Sequence, residues 1–201
     1  TYRNSTQVAC LIAMPATAIL VFFPDRVLQI WLNYSSVNEA VAPVLIPYAI
    51  GNCVLAISSF SFYIQFSKVE LKLHLVGTAL FLVVLIPSVY FLTASEGAPG
   101  AGRAWLFANL AYLFLWVPVI HKVFEPKLHL SWLGRDVIPV FLISASAARA
   151  LSHLQLWTDV RLWDFWILVA ICISVFLLST LASSFARGYL ANATNILGKV
   201  R

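Results

Sequence analysis

The chain has 201 residues, of which 61% are hydrophobic and only 10% charged, with a formal net charge of +5. A water-soluble domain is nearer half apolar and about a quarter charged, so this composition excludes an ordinary soluble surface and points to an integral membrane protein. The excess of positive charge requires no nucleic-acid partner, because a basic face beside anionic lipid accounts for it.

Six membrane spans are predicted in chain order. The first covers about Thr6 to Phe23, with a continuation through Pro24-Asp25-Arg26 to Trp31. The second covers about Ala40 to Phe66 and the third about Leu71 to Leu92. The stretch LVGTALFLVVLIPSVYFL, Leu75 to Leu92, is apolar all round, as a helix of about 20 residues crossing hydrocarbon must be. A membrane β-barrel would instead alternate apolar and polar residues over strands of about 10 residues. The fourth span is placed at about Ala104 to Val123, the fifth at about Val137 to Leu156 and the sixth at about Trp163 to Phe185. The fold class is therefore all-α, a polytopic bundle of six transmembrane helices whose backbone amides are satisfied within each helix.

Three sections follow from these spans: four helices over residues 1–124, a loop over 125–136, and a final hairpin with its tail over 137–201. Nine of the thirteen Lys and Arg residues fall on the face that holds both chain ends, and Arg26, Arg103, Arg149 and Arg161 on the other. The positive-inside bias then places both ends in the cytoplasm. Pro15, Pro47, Pro87 and Pro118 lie inside the first four spans, where each removes a backbone hydrogen bond. Four such kinks favour bent helices around a cavity over a rigid bundle. Trp31, Trp105, Trp132, Trp157 and Trp163 fall near span ends, as in an aromatic belt. Cys10, Cys53 and Cys172 lie in apolar runs without metal-ligand spacing and read as buried hydrophobes. The N-x-S/T triplets at Asn4, Asn33 and Asn192 are read as chance matches. No phosphate-cradling glycine loop is present, and no cofactor or metal is expected.

Three segments carry a resemblance. MPATAILVFFPDRVLQIWL (Met14 to Leu32), VLIPYAIGNCVLAISSFSFYIQFSKVELKL (Val44 to Leu73) and LIPSVYFLTASEGAPGAGRAWLFANL (Leu85 to Leu110) occur in this order. Together they resemble the C-terminal lobe of polysaccharide flippases in the multidrug/oligosaccharidyl-lipid/polysaccharide exporter superfamily. The likeness spans roughly residues 1–124, with Ser67 where glycine is usual and Arg103 where a small apolar residue is usual. It implies the last six helices of a fourteen-helix, two-lobed transporter. The opening TYRNSTQVAC, without an initiator methionine, agrees with an N-terminal lobe lying outside this sequence. The implied function is movement of a lipid-linked oligosaccharide across a bacterial cytoplasmic membrane by alternating access, with no bond made or broken. The partners are then that lipid-linked glycan, the bilayer and the N-terminal lobe.

Candidate substrate contacts are Arg149, Arg103, His153, Gln65 and Asn52. Arg149 and His153 are four residues apart and share a helical face, and a charge within a span faces a cavity or a partner. Pairing of Arg149 or Arg161 with Asp159 or Asp164 is the structural alternative. Arg103 reads either as a phosphate or acidic-sugar contact at a helix N-terminus or as an arginine snorkelling to lipid phosphate. Asn52 and Gln65 stand about 220° apart around an ideal helix, so at most one lines a cleft. Lys68 and Lys72 read as phosphate contacts or as ordinary cytoplasmic lysines. His74, His121 and His129 lie near the same boundary with no assigned role. Two other functions stay open. A membrane glycan polymerase or ligase would use the Arg149, His153, Asp159 and Arg161 group on an outer loop. A cation-coupled multidrug exporter would need a carboxylate inside a span, and none of the eight is expected there.

Overall fold

The computed structural model describes residues 2–32, 35–154, 156–158 and 160–183. All the regular structure among them is helical, and six helical stretches are long and apolar enough to cross a membrane. The chain is therefore a multi-pass helical membrane protein in its architecture.

The first span is α1 (Tyr2–Phe22), and α2 (Pro24–Leu32) follows after a bend. Pro24 has no amide hydrogen to extend the ladder, yet Val27 N still donates to Phe23 O at 3.0 Å, so α2 restarts within one turn. The second span joins α3 (Ser35–Ser58) to α4 (Phe60–Ser67). The break between them has a local cause in AISSFS. Ser59 Oγ donates to Ala56 O at 2.8 Å and Ser61 Oγ to Ser58 O at 2.7 Å. Such hydroxyl bonds back to the preceding turn bend a helix.

The third span is α5 (Lys72–Glu96). The fourth consists of α6 (Ala98–Ala111), a π-helical turn at Tyr112–Trp116, and α7 (Val117–Phe124). Gly97 has φ 67°, which lets the chain reverse between α5 and α6. Gly51 of α3 lies against Trp105 of α6, where an added Cβ would come within 2.5 Å of the indole. That absence of a side chain allows α3 and α6 to pack closely.

The fifth span starts earlier than the sequence predicts. Helix α8 (Leu128–Trp132) runs through a π turn at Leu133–Val137 into α9 (Ile138–Ser152), which leaves a connection of only Glu125 to Lys127. Most of the expected 125–136 loop is thus helix, because its polar Asp136 is buried against the first span rather than solvated. The sixth span is α10 (Arg161–Ala182). Asp159, the tail residues Arg187, Lys199 and Arg201, and the last two residues of the expected sixth span lie outside the described residues.

Helix contacts set the spatial order third, fourth, second, first, with the fifth and sixth together beside the first. Two apolar clusters run along this axis. One gathers Met14, Ile57, Val117, Trp132 and Val140 near the N-terminal face, and the other gathers Ile19, Phe23, Ala148, Ile171 and Val175 toward the opposite face. Helix α1 contributes to both, so it is the spine of the bundle. Trp132 is fully buried and belongs to this core, not to an interfacial belt. Helix α5 packs on one side only, against the fourth span: Gly77 is its one buried residue, and its outer surface is leucine, valine, isoleucine and aromatic.

Candidate functional site

Two sites emerge from this packing. The first is a cavity of about 300 Å³ where the second, third and fourth spans meet. Its walls come from the places where those helices depart from regularity. Ser58, Ser59 and Phe62 stand at the α3–α4 break, Asn109 and Tyr112 at the start of the π turn, and His74, Thr78 and Phe81 on α5. Breaks and π turns free backbone and redirect side chains, and π turns are frequent at functional sites.

The exposed lining is mainly apolar. Phe62, Phe81 and Tyr112 supply ring surface, and Phe81 meets Tyr112 edge-on at 6.1 Å between centroids. Among them sit hydroxyl, amide and imidazole groups. Asn109 donates from Nδ2 to Trp105 O at 2.8 Å, which fixes its amide. Ser58 is 2% exposed, and its Oγ has no hydrogen-bond partner; His74 Nδ1 is likewise unpartnered. An orphaned buried polar atom costs on the order of 1–3 kcal/mol, and these two lie beneath a cavity wall that is mainly apolar.

The second site is a polar knot at the N-terminal face. Asp136 is fully buried and accepts from Arg3 Nε at 2.5 Å, Arg3 Nη2 at 2.9 Å and Gln7 Nε2 at 2.5 Å. Ser183 Oγ donates to Gln7 Oε1 at 2.7 Å, tying in the end of the sixth span. One residue before Arg3, the Tyr2 hydroxyl lies 2.9 Å from His121 Nε2, and His121 Nδ1 lies 3.0 Å from His129 Nδ1. The first two turns of α1 therefore join the fourth, fifth and sixth spans. Asp136 is the carboxylate inside a span helix that the sequence reading does not expect. Its place is taken by a resident cation, Arg3.

At the opposite face a matching clasp holds α2 to the last helix. Asp164 accepts from Thr158 N and Oγ1 at 2.8 and 3.0 Å, with Arg26 Nη1 3.7 Å away. The Arg26 guanidinium also lies 4.9 Å over the Trp157 ring. Arg161 donates to the Ile30 carbonyl, from Nε at 3.0 Å.

The five residues singled out from sequence are dispersed. Arg149 is exposed on α9 and has no hydrogen-bond or ion-pair partner among the described residues; Asp164 pairs with Arg26 instead. His153 is exposed just past the same helix. Arg103 forms an ion pair with Glu96 at 2.7 Å across the α5–α6 turn. Asn52 is exposed and accepts from Trp105 Nε1 at 3.3 Å. Gln65 is fully buried; it donates to Ser61 O at 3.1 Å and keeps Oε1 unpartnered. None of the five lines the cavity. The residues that do were visible in the sequence only as polar interruptions, Ser58, Thr78 and Asn109, in otherwise apolar runs.

Among the described residues no group of three His, Cys, Asp or Glu side chains is placed to hold a metal ion. No family model, curated protein or solved structure matches the chain.

Proposed function

We propose that this chain is the C-terminal lobe of a transporter that moves a lipid-linked oligosaccharide across a bacterial cytoplasmic membrane, with its N-terminal face in the cytoplasm. The observation that carries the reading is the cavity between the broken second span, the π turn of the fourth and the third. Its ring surfaces suit the C–H faces of a sugar, and Ser58, Thr78 and Asn109 suit its hydroxyl and amide groups. The apolar outer surface of α5 leaves a lipid chain free to remain in hydrocarbon while the polar head is sheltered.

Helix α5 packs along the fourth span on one side and turns the rest of its surface outward. Exposed Lys68 and Lys72 bracket the α4–α5 turn at the cavity's N-terminal end, where they meet a pyrophosphate. The lining brings no carboxylate to the cavity, which favours a carrier over an enzyme that makes or breaks glycosidic bonds. Asp136 is committed to Arg3, which favours the glycan reading over a cation-coupled drug exporter.

The test uses the full-length gene in its own host. Deletion is expected to trap single repeat units on the cytoplasmic leaflet, and Thr78→Phe, which fills the cavity, to reproduce that block at normal membrane abundance. Single units that reach the outer leaflet and fail only to be joined would refute the transporter reading in favour of the polymerase or ligase.

A further inference from the structure

Helix α9 turns Ser146, Arg149, Ala150 and His153 away from the bundle, all four exposed. They fall into two neighbouring rows. Arg149 and His153, four residues apart, stand one turn above the other. Beside them runs the row Leu142, Ser146, Ala150 and Leu154, also at intervals of four and exposed throughout. With leucine at both ends and small residues between, that row dips next to the arginine.

The packing of the opposite side sets the depth of this stripe. Ala148 packs with Ala18 and Ile19 of α1, so Arg149 lies level with the last turn of a helix that ends at Phe22. Helix α9 itself ends three residues further on, at Ser152, a rise of about 4.5 Å. An arginine stem covers that distance, carrying the guanidinium to headgroup level while its methylenes stay in hydrocarbon.

The chemistry of the occupant follows from charge and surroundings. Arg149 has no hydrogen-bond or ion-pair partner among the described residues, and the buried carboxylate at this end, Asp164, is held by Thr158 and Arg26. A second copy docked here about a two-fold axis would set Arg149 against its own like charge. The residues flanking the stripe are apolar and face lipid, so the anion that fits is one carrying its own apolar chain.

We propose that this stripe is a binding site for an anionic phospholipid, at the end of α9 opposite the N-terminal face. The guanidinium holds the phosphate through paired N–H donors, and His153 donates a ring N–H from one turn further out. The glycerol and first acyl carbons lie in the dip at Ser146 and Ala150. This site is separate from the cavity and does not depend on what the cavity carries.

The test places the full-length protein in phosphatidylcholine nanodiscs that contain a trace of phosphatidylglycerol, or of phosphatidylcholine, with a photoreactive group on the acyl chain. Labelled residues are mapped by mass spectrometry. Labelling of residues 142–154 is expected to be about five-fold greater from phosphatidylglycerol, the factor one basic residue contributes at an anionic headgroup. The outer surface of α5 is expected to label equally from both lipids and serves as the control for folding. Arg149→Ala is expected to erase the preference at α9 and leave α5 labelling unchanged, and His153→Ala to reduce the preference in part. Equal labelling of α9 by the two lipids would overturn the site, as would a preference that survives Arg149→Ala. Labelling of α5 without any of α9 would also overturn it, in favour of a protein helix covering this face.

Discussion

Arg3→Ala and Asp136→Asn remove the same ion pair, yet the structure predicts unequal damage. In Arg3→Ala the buried carboxylate loses its cation and keeps Gln7 as a donor. Leaving a buried charge uncompensated costs about 3–5 kcal/mol. In Asp136→Asn the amide oxygen still accepts from Gln7, and Arg3, with 38% of its side chain exposed, can turn to water or lipid phosphate. The loss is then about 1–2 kcal/mol, since part of the pair was already solvent-screened. At about 2–4 °C per kcal/mol for a chain of this size, the melting point falls by roughly 12 °C in the first variant and roughly 4 °C in the second. The assay is thermal unfolding in detergent, followed by a thiol-reactive fluorogenic dye. Cys10 and Cys53 are buried in the folded chain and become reactive on unfolding. The double variant is expected to melt near Asp136→Asn, above Arg3→Ala, because removing the charge rescues the loss of its partner. Equal shifts in the two single variants, or additive ones in the double, would refute the argument that the buried charge dominates.

Val69 adopts φ 55° in the α4–α5 turn, a conformation that costs a β-branched residue about 1–2 kcal/mol, and it is 90% exposed. Val69→Gly is therefore expected to raise stability by about 0.5–1 kcal/mol in the same melting assay, after glycine's larger unfolded-state entropy is deducted. Ser179 Oγ donates to Val175 O, so the 2.7 Å bond with Ser144 is donated by Ser144. Ser179→Ala strands the buried Ser144 hydroxyl and should cost about 1–3 kcal/mol, whereas Ser144→Ala should cost about 1 kcal/mol or less. Arg149→Ala should leave melting within about 0.5 kcal/mol of wild type, since the side chain is exposed and unpaired among the described residues. Its transport phenotype, read as surface glycan, then reports on ligand contact without a stability contribution.

The spans were legible because hydrocarbon imposes a requirement that every residue of a crossing helix must meet. The segment LGRD, Leu133 to Asp136, shows where that logic fails. Local polarity reads it as loop, but Asp136 is neutralised by Arg3, 133 residues away, and a single window holds no trace of that pairing. Arg103 carries a related lesson at shorter range: its partner Glu96 lies across the turn, on the preceding helix. The Arg149–His153 spacing does put both side chains on one helical face, yet that face is turned away from the bundle core. The cavity was harder still. A π turn shifts the helical phase by about one residue, or about 100°, and the serine break at α3–α4 resets it again. A helical wheel drawn through Asn109 or Ser58 therefore cannot say that they meet. Asn52 and Gln65 lie on either side of that break, and one of them is exposed and the other buried.

The central claim is that the cavity beside α5 shelters the sugar of a lipid-linked glycan in transit. It is tested most directly by the full-length protein in liposomes that carry a short-chain, fluorescently tagged, pyrophosphate-linked saccharide on one leaflet, with a membrane-impermeant quencher outside. The account predicts transfer between leaflets that is lost in Thr78→Phe and retained in Val69→Gly. Transfer by Thr78→Phe at the wild-type rate would contradict it.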